Sequence, residues 1–105
     1  MRVLFICSRN KKRSLTAEIH FASLNDFEVA SAGLNRDSQT PVTPDLLLWT
    51  DLIFVMESAH RQKLSKRFGQ YLRDTRIVCL DIVDKYEFMD SDLIEELERK
   101  VRKHI

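Results

Sequence analysis

Val3-Leu4-Phe5-Ile6-Cys7-Ser8-Arg9-Asn10-Lys11-Lys12-Arg13-Ser14 joins a short apolar run to a basic turn and then to a hydroxyl. Val3 to Ile6 is branched and aromatic, which suits a strand buried on both faces. Ser14 to Leu24 reads as a helix, with Leu15, Ile19 and Ala22 spaced to line one side. A strand that turns tightly into a helix gathers free backbone N–H groups at the helix start. The amides and the helix dipole both favour an anion there. Cys7, at the strand end, lies in the same field, which stabilises a thiolate. Ser14 can donate to that thiolate or cap the helix. A cysteine and an arginine separated by five residues recur by chance, and the alternative is an inert strand-end thiol beside a solvated turn. Its place between strand and helix gives this pair its weight.

Working outward, the chain alternates strand and helix. Phe27 to Ala32 suggests a second strand ended by Gly33, followed by a polar loop from Leu34 to Thr43. Thr43-Pro44 has the form of an N-cap with proline at the first helical position, leading a short helix with Leu46, Leu47 and Trp49. Leu52 to Met56 is a further buried strand, and Ser58 is placed to cap a basic helix running to about Phe68, with Leu64 and Phe68 inward. Ile77 to Leu80 forms the fourth strand. The last helix begins near Asp90 to Asp92, where Asp92 and Glu95 have capping-box spacing, and it buries Leu93, Leu97 and Val101 with Ile94 beside them.

Apolar strands alternating with helices predict an α/β fold: a three-layer sandwich with a four-stranded parallel sheet and helices on both faces. Such sheets bind ligands beyond the carboxyl ends of their strands. Cys7 falls there, and so do Asp81 and Asp84 after the fourth strand.

The 105 residues are 44% hydrophobic, enough for one compact domain over 1–105. A net charge of +1 gives no global field for nucleic acid or an anionic membrane. The N-terminal apolar run is too short for a signal peptide or a membrane span. The two cysteines, Cys7 and Cys79, make no disulfide framework, so a reducing, cytoplasmic setting is expected. Cys79, within a strand, reads as a core residue. No cluster of His, Cys or Asp has metal-ligand spacing, and no cofactor is implied. His20 and His104 read as surface or packing residues and His60 as structural or surface. Trp49 reads as core or sheet edge, with the pocket rim as its lesser alternative. Arg61, Lys63, Lys66 and Arg67 form a solvated basic face.

The chemistry that suits these residues is phosphate-ester cleavage, which needs a nucleophile, a clamp for the phosphoryl oxygens and a proton for the leaving group. Cys7 attacks, Arg13 binds two oxygens through its planar fork, loop amides hold the rest, and a carboxylic acid from the later loop supplies the proton.

Cys7 to Ser14 with Thr16-Ala17-Glu18 resembles the signature of the low-molecular-weight protein tyrosine phosphatases, particularly their short bacterial type. Ala30-Ser31-Ala32-Gly33, Asp51 to Glu57 with His60 beyond it, Asp84-Lys85-Tyr86 and Asp90-Ser91-Asp92 extend the likeness over almost the whole chain. The resemblance implies a flavodoxin-like parallel sheet and a phosphocysteine mechanism on aryl phosphates, with phosphotyrosyl protein or a small aryl phosphate as substrate and phosphate or sulfate as a loop ligand. It makes Cys7 the nucleophile, Arg13 the phosphate-binding arginine and Ser14 the thiolate's hydroxyl. Asn10 shapes the loop, being tolerant of left-handed backbone, and Tyr86 flanks the entrance.

The general acid is Asp84 when read back from the last helix and Asp81 when read forward from the fourth strand; Asp84 is narrowly preferred, although Lys85 stands where proline is usual. Arg9 replaces a frequent glycine, and Lys12 stands where longer members carry a second cysteine, which removes the usual disulfide protection of Cys7. Ser8, Arg9, Asn10, Lys11 and Lys12 are the substrate-binding candidates, and the basic ones either favour a more highly charged ligand or point into solvent. Two other functions fit less well. One is a non-catalytic phosphate-binding or regulatory module, and the other is thiol-dependent arsenate reduction, for which Met56 and Ser58 stand where relay cysteines are needed.

Overall fold

The computed structural model describes residues 1–23 and 27–105. Along the chain run β1 (Arg2–Cys7), α1 (Arg13–Phe21), β2 (Glu28–Gly33), α2 (Pro44–Trp49), β3 (Leu52–Val55), α3 (Ser58–Phe68), a 3-10 turn over Gly69–Tyr71, β4 (Arg76–Cys79) and α4 (Ser91–Val101). The strands form one sheet in the order β2-β1-β3-β4, and every pairing is parallel.

Because successive side chains of a strand point to opposite faces, β1 feeds two cores. Val3, Phe5 and Cys7 point toward α1 and α4, where they meet Ala17, Phe21, Phe54, Leu93, Leu97 and Val101. Leu4 and Ile6 point the other way, among Leu47, Ile53, Val55 and Leu64 beneath α2 and α3. Strand order reverses between β1 and β3, since the chain first moves outward to β2 and then crosses back. The carboxyl ends of these two strands flank the crevice where parallel sheets place their ligands.

Local signals account for the start of α2 and the buried face of α4. Thr43 caps α2 by accepting from the Leu46 N–H at 3.2 Å, with Pro44 behind it. Leu93, Leu97 and Val101 form the buried stripe of α4, as their spacing predicts.

Three expectations are corrected. The inward face of α1 is Arg13, Ser14, Thr16, Ala17 and Phe21, whereas Leu15 is half-buried, Ala22 is exposed and Ile19 is 46% exposed. Apolar spacing picked the wrong side because the true inner face carries site residues. The expected end of this helix at Leu24 lies outside the described residues. Ser58 does not cap α3: Glu57 is the N-cap, in a capping box completed by His60. In α4 the cap is Asp90, which accepts from the Asp92 N–H at 2.8 Å, so Asp92 and Glu95 form no capping box.

Candidate active site

The turn between β1 and α1 is held from outside by the segment after β2. Leu34 N–H donates to the Cys7 carbonyl at 3.0 Å, Asn35 N–H to Ser8 at 2.8 Å and Gln39 N–H to Arg9 at 3.4 Å, while Ser38 Oγ donates to the Ser8 carbonyl at 3.0 Å. In a trans peptide the N–H points opposite to the preceding carbonyl. With these carbonyls drawn outward, the amides of Ser8, Arg9 and Asn10 turn inward. Gly33 permits the close approach, because a Cβ there would lie 2.8 Å from the Ser8 carbonyl oxygen and 2.2 Å from Ser38 Oγ. Asn10 adopts φ 58°, a left-handed conformation that asparagine tolerates better than most residues.

At the base of the turn, Cys7 Sγ accepts from the Asn10 N–H at 3.3 Å and lies 2.9 Å from Ser14 Oγ. The two Asn10 amide protons go to Ser14 Oγ and to Ser31 Oγ, each at 2.8 Å. Ser31 in turn donates to Glu18. Donation thus branches from Asn10, one arm reaching Glu18 through Ser31 and the other ending on Ser14 Oγ. The single Ser14 proton has the sulfur at 2.9 Å and the Ala32 carbonyl at 3.5 Å as acceptors, and the nearer one is Cys7.

Arg13 is only 3% exposed, and its Nη1 donates at 2.7 Å both to Glu57 Oε2 and to the Ile82 carbonyl. Anchoring that nitrogen leaves the Nε and Nη2 edge of the fork for an anion. His60, at the start of α3, accepts the Glu57 N–H on Nδ1 at 3.0 Å, so its proton sits on Nε2, which lies 3.0 Å from Ser8 Oγ. Burial, reinforced by the Arg13 guanidinium, lowers its pKa from 6.5 to about 4. Protonating Nδ1 would set two donors head to head.

The segment from Leu80 to Asp90 arches over the turn. It is pinned at one end by the Ile82 N–H on the Met56 carbonyl at 2.8 Å and at the other by the Met89 N–H on Thr16 Oγ1 at 3.0 Å. Between the pins, the Asp84 side chain is 64% exposed, with Oδ1 3.9 Å from Arg13 Nε. A cavity of about 330 Å³ results, lined by Cys7, Ser8, Arg9, Lys11, Lys12, Arg13 and Asp84.

The fold was compared with solved structures. A YwlE arginine phosphatase, in a mutant with a phosphorylated active-site serine, superposes with a TM-score of 0.81 at 22% identity, covering 98% of this chain and 92% of the other. A low-molecular-weight protein tyrosine phosphatase from Bacillus subtilis gives 0.73 at 21% identity, with 99% of each chain covered. The fold is that of the low-molecular-weight protein tyrosine phosphatases. The tyrosine phosphatase Wzb from Escherichia coli K30, in complex with phosphate, gives 0.77 at 20% identity over 97% of this chain and 94% of that one. No protein-family model and no curated protein matches the sequence.

Within this phosphatase fold, the structure gathers Cys7, Ser8, Arg9, Lys11, Lys12, Arg13 and Asp84 around one cavity and sets Asn10 and Ser14 directly behind it. Two expected site residues lie elsewhere. Asp81, at φ 54°, turns its carboxylate toward Cys79 Sγ at 3.3 Å, and its carbonyl accepts from Lys100 Nζ at 2.9 Å. Tyr86 packs on the α1/α4 core under Lys85 Nζ and lines a neighbouring groove along α4 instead of the cavity. Trp49 is not at the rim: its ring lies under the Arg2 guanidinium at the opposite end of β1. Cys79 is half-buried on edge strand β4, where burial raises its pKa.

Sequence reading assigned no site role to Glu18, Ser31 or Glu57. Ser31 and Glu57 lie near the ends of β2 and β3, the edge where ligands bind, and that position was the available signal.

Proposed function

We propose that this chain is a metal-independent phosphomonoester hydrolase acting on aryl phosphates, with phosphotyrosine in protein as its natural substrate, and that residues 1–105 act as one catalytic unit. The observation that carries the reading is Cys7 Sγ at the base of a cavity, with two donors behind it, the Arg13 fork beside it and a carboxylate above. Likeness to arginine and tyrosine phosphatases supports the reaction class.

In the first step the Cys7 thiolate forms an S–P bond as the P–O ester bond breaks. Inward amides and Arg13 hold the equatorial oxygens, and Asp84 gives its proton to the departing oxygen. In the second step the Asp84 carboxylate takes a proton from water, whose oxygen bonds to phosphorus as the S–P bond breaks. Inorganic phosphate leaves and the thiolate returns to the Ser14 hydroxyl. Asp84 is the preferred acid because Asp81 faces β4. A thiolate nucleophile suits a reducing, cytoplasmic setting, and among the described residues no helix is long and apolar enough to cross a membrane.

The test is turnover of p-nitrophenyl phosphate in the presence of a chelator. Wild type is expected to turn over and to yield phosphocysteine under rapid quench, whereas Cys7→Ser loses turnover by at least about a thousandfold. Phosphate binding without any phosphocysteine in the wild type would identify a binding module instead.

A further inference from the structure

Four cations border the cavity, Arg9, Lys11, Lys12 and Arg13, and the clamp on a single phosphoryl group uses only Arg13. Arg13 is paired with Glu57, and Lys12 Nζ is 3.4 Å from Glu87. Arg9 and Lys11 also line the cavity, yet among the described residues neither has a carboxylate within 4.0 Å. Neither charge is held in an ion pair with a described residue, and both lie next to a phosphoryl position already served by Arg13 and the inward amides. The neighbouring groove along α4 is different. There Glu96 is paired with Arg99 and Lys100, and the carboxylates of Asp90, Asp92 and Glu95 outnumber the remaining cation, Lys85. An anionic group beside the bound ester is drawn over the phosphate-binding turn and repelled from α4.

We infer that the site selects phosphotyrosine whose neighbouring residue in the peptide is acidic, that carboxylate resting on Arg9 and Lys11. The inference rests on the phosphomonoesterase reading and adds to it the charge of the substrate. Because both cations are exposed, the preference acts through KM and weakens with salt.

Paired phosphotyrosine peptides, identical except for glutamate or glutamine beside the phosphotyrosine, provide the test. Wild type is expected to favour the acidic peptide by about tenfold in kcat/KM at low ionic strength, and by much less at high salt. In Arg9→Gln/Lys11→Gln the ratio falls to about twofold or less. Equal kcat/KM for the two peptides in wild type, from a preparation that turns over p-nitrophenyl phosphate, overturns the inference and leaves the phosphatase reading standing. A preference undiminished in the double variant overturns the assignment to Arg9 and Lys11. No turnover of any ester overturns both readings.

Discussion

Asp81 and Asp84 are three residues apart, and only the backbone separates their roles. A positive φ at Asp81 turns its side chain to the edge of β4, whereas Asp84 sits on the arch above Arg13. A general acid matters most when the leaving oxygen is basic. Asp84→Asn is therefore expected to lower kcat by about a hundredfold or more on a phenyl phosphate with a poor leaving group, and by less on p-nitrophenyl phosphate. Asp81→Asn should stay within about twofold on both. Matching losses in the two variants would show that neither carboxylate is the specific proton donor. Sequence alone left this choice open because a loop has no periodicity from which side-chain direction can be read. The turn at Cys7 was legible for the opposite reason: a strand end, a helix start and a charged interval fix one geometry.

At the scale of elements, α3 joins the site to stability through His60, which closes the cap of the helix and reaches Ser8. Its pKa is about 4 in the folded protein and near 6.5 when unfolded, so between these values the unfolded chain binds the extra proton. Stability is thus expected to fall as pH drops from 6.5 toward 4, with up to about 3 kcal/mol of that loss due to His60. Glu96 and Glu98, whose pKa values are lowered by Lys100 and Arg102, lose their own contribution at the acid end of this range. Urea midpoints of wild type and His60→Gln at pH 7 and pH 4.5 separate the two effects. The variant should start less stable and decline less steeply; parallel declines would count against His60. Sequence reading missed this cap because Ser58 offered the usual capping side chain, while Glu57 and His60 form a box with unusual residue types. The inner face of α1 was missed for a related reason. Its buried Arg13, Ser14 and Thr16 serve the turn and the arch, so hydrophobic spacing pointed to Leu15 and Ile19. Alternation of apolar strands with helices, by contrast, depends on burial alone and could be read directly.

Across the whole molecule, the wall behind the site is a ladder of rings. Phe5 stacks on Phe21 with centroids 5.6 Å apart and on Phe54 at 5.3 Å, and Phe54 meets His104 edge-on at 5.9 Å. These contacts tie α1, β1, β3 and the C-terminal turn together two residues before Cys7 on β1. All three phenylalanines are fully buried, so a cavity at Phe54 has few neighbours free to fill it. Phe54→Ala is expected to cost about 3–5 kcal/mol, a large share of the about 5–15 kcal/mol that holds a domain of this size. The urea midpoint should fall accordingly, with Phe54→Leu between the two. The Cys7 turn is fixed by its own bonds to Ser14, Asn10 and the 34–39 segment rather than by this ring, so the fraction that remains folded should keep its KM for p-nitrophenyl phosphate within about threefold. A variant with an unchanged midpoint but a raised KM would mean that the ring ladder positions the turn and does not mainly hold the sheet to its helices.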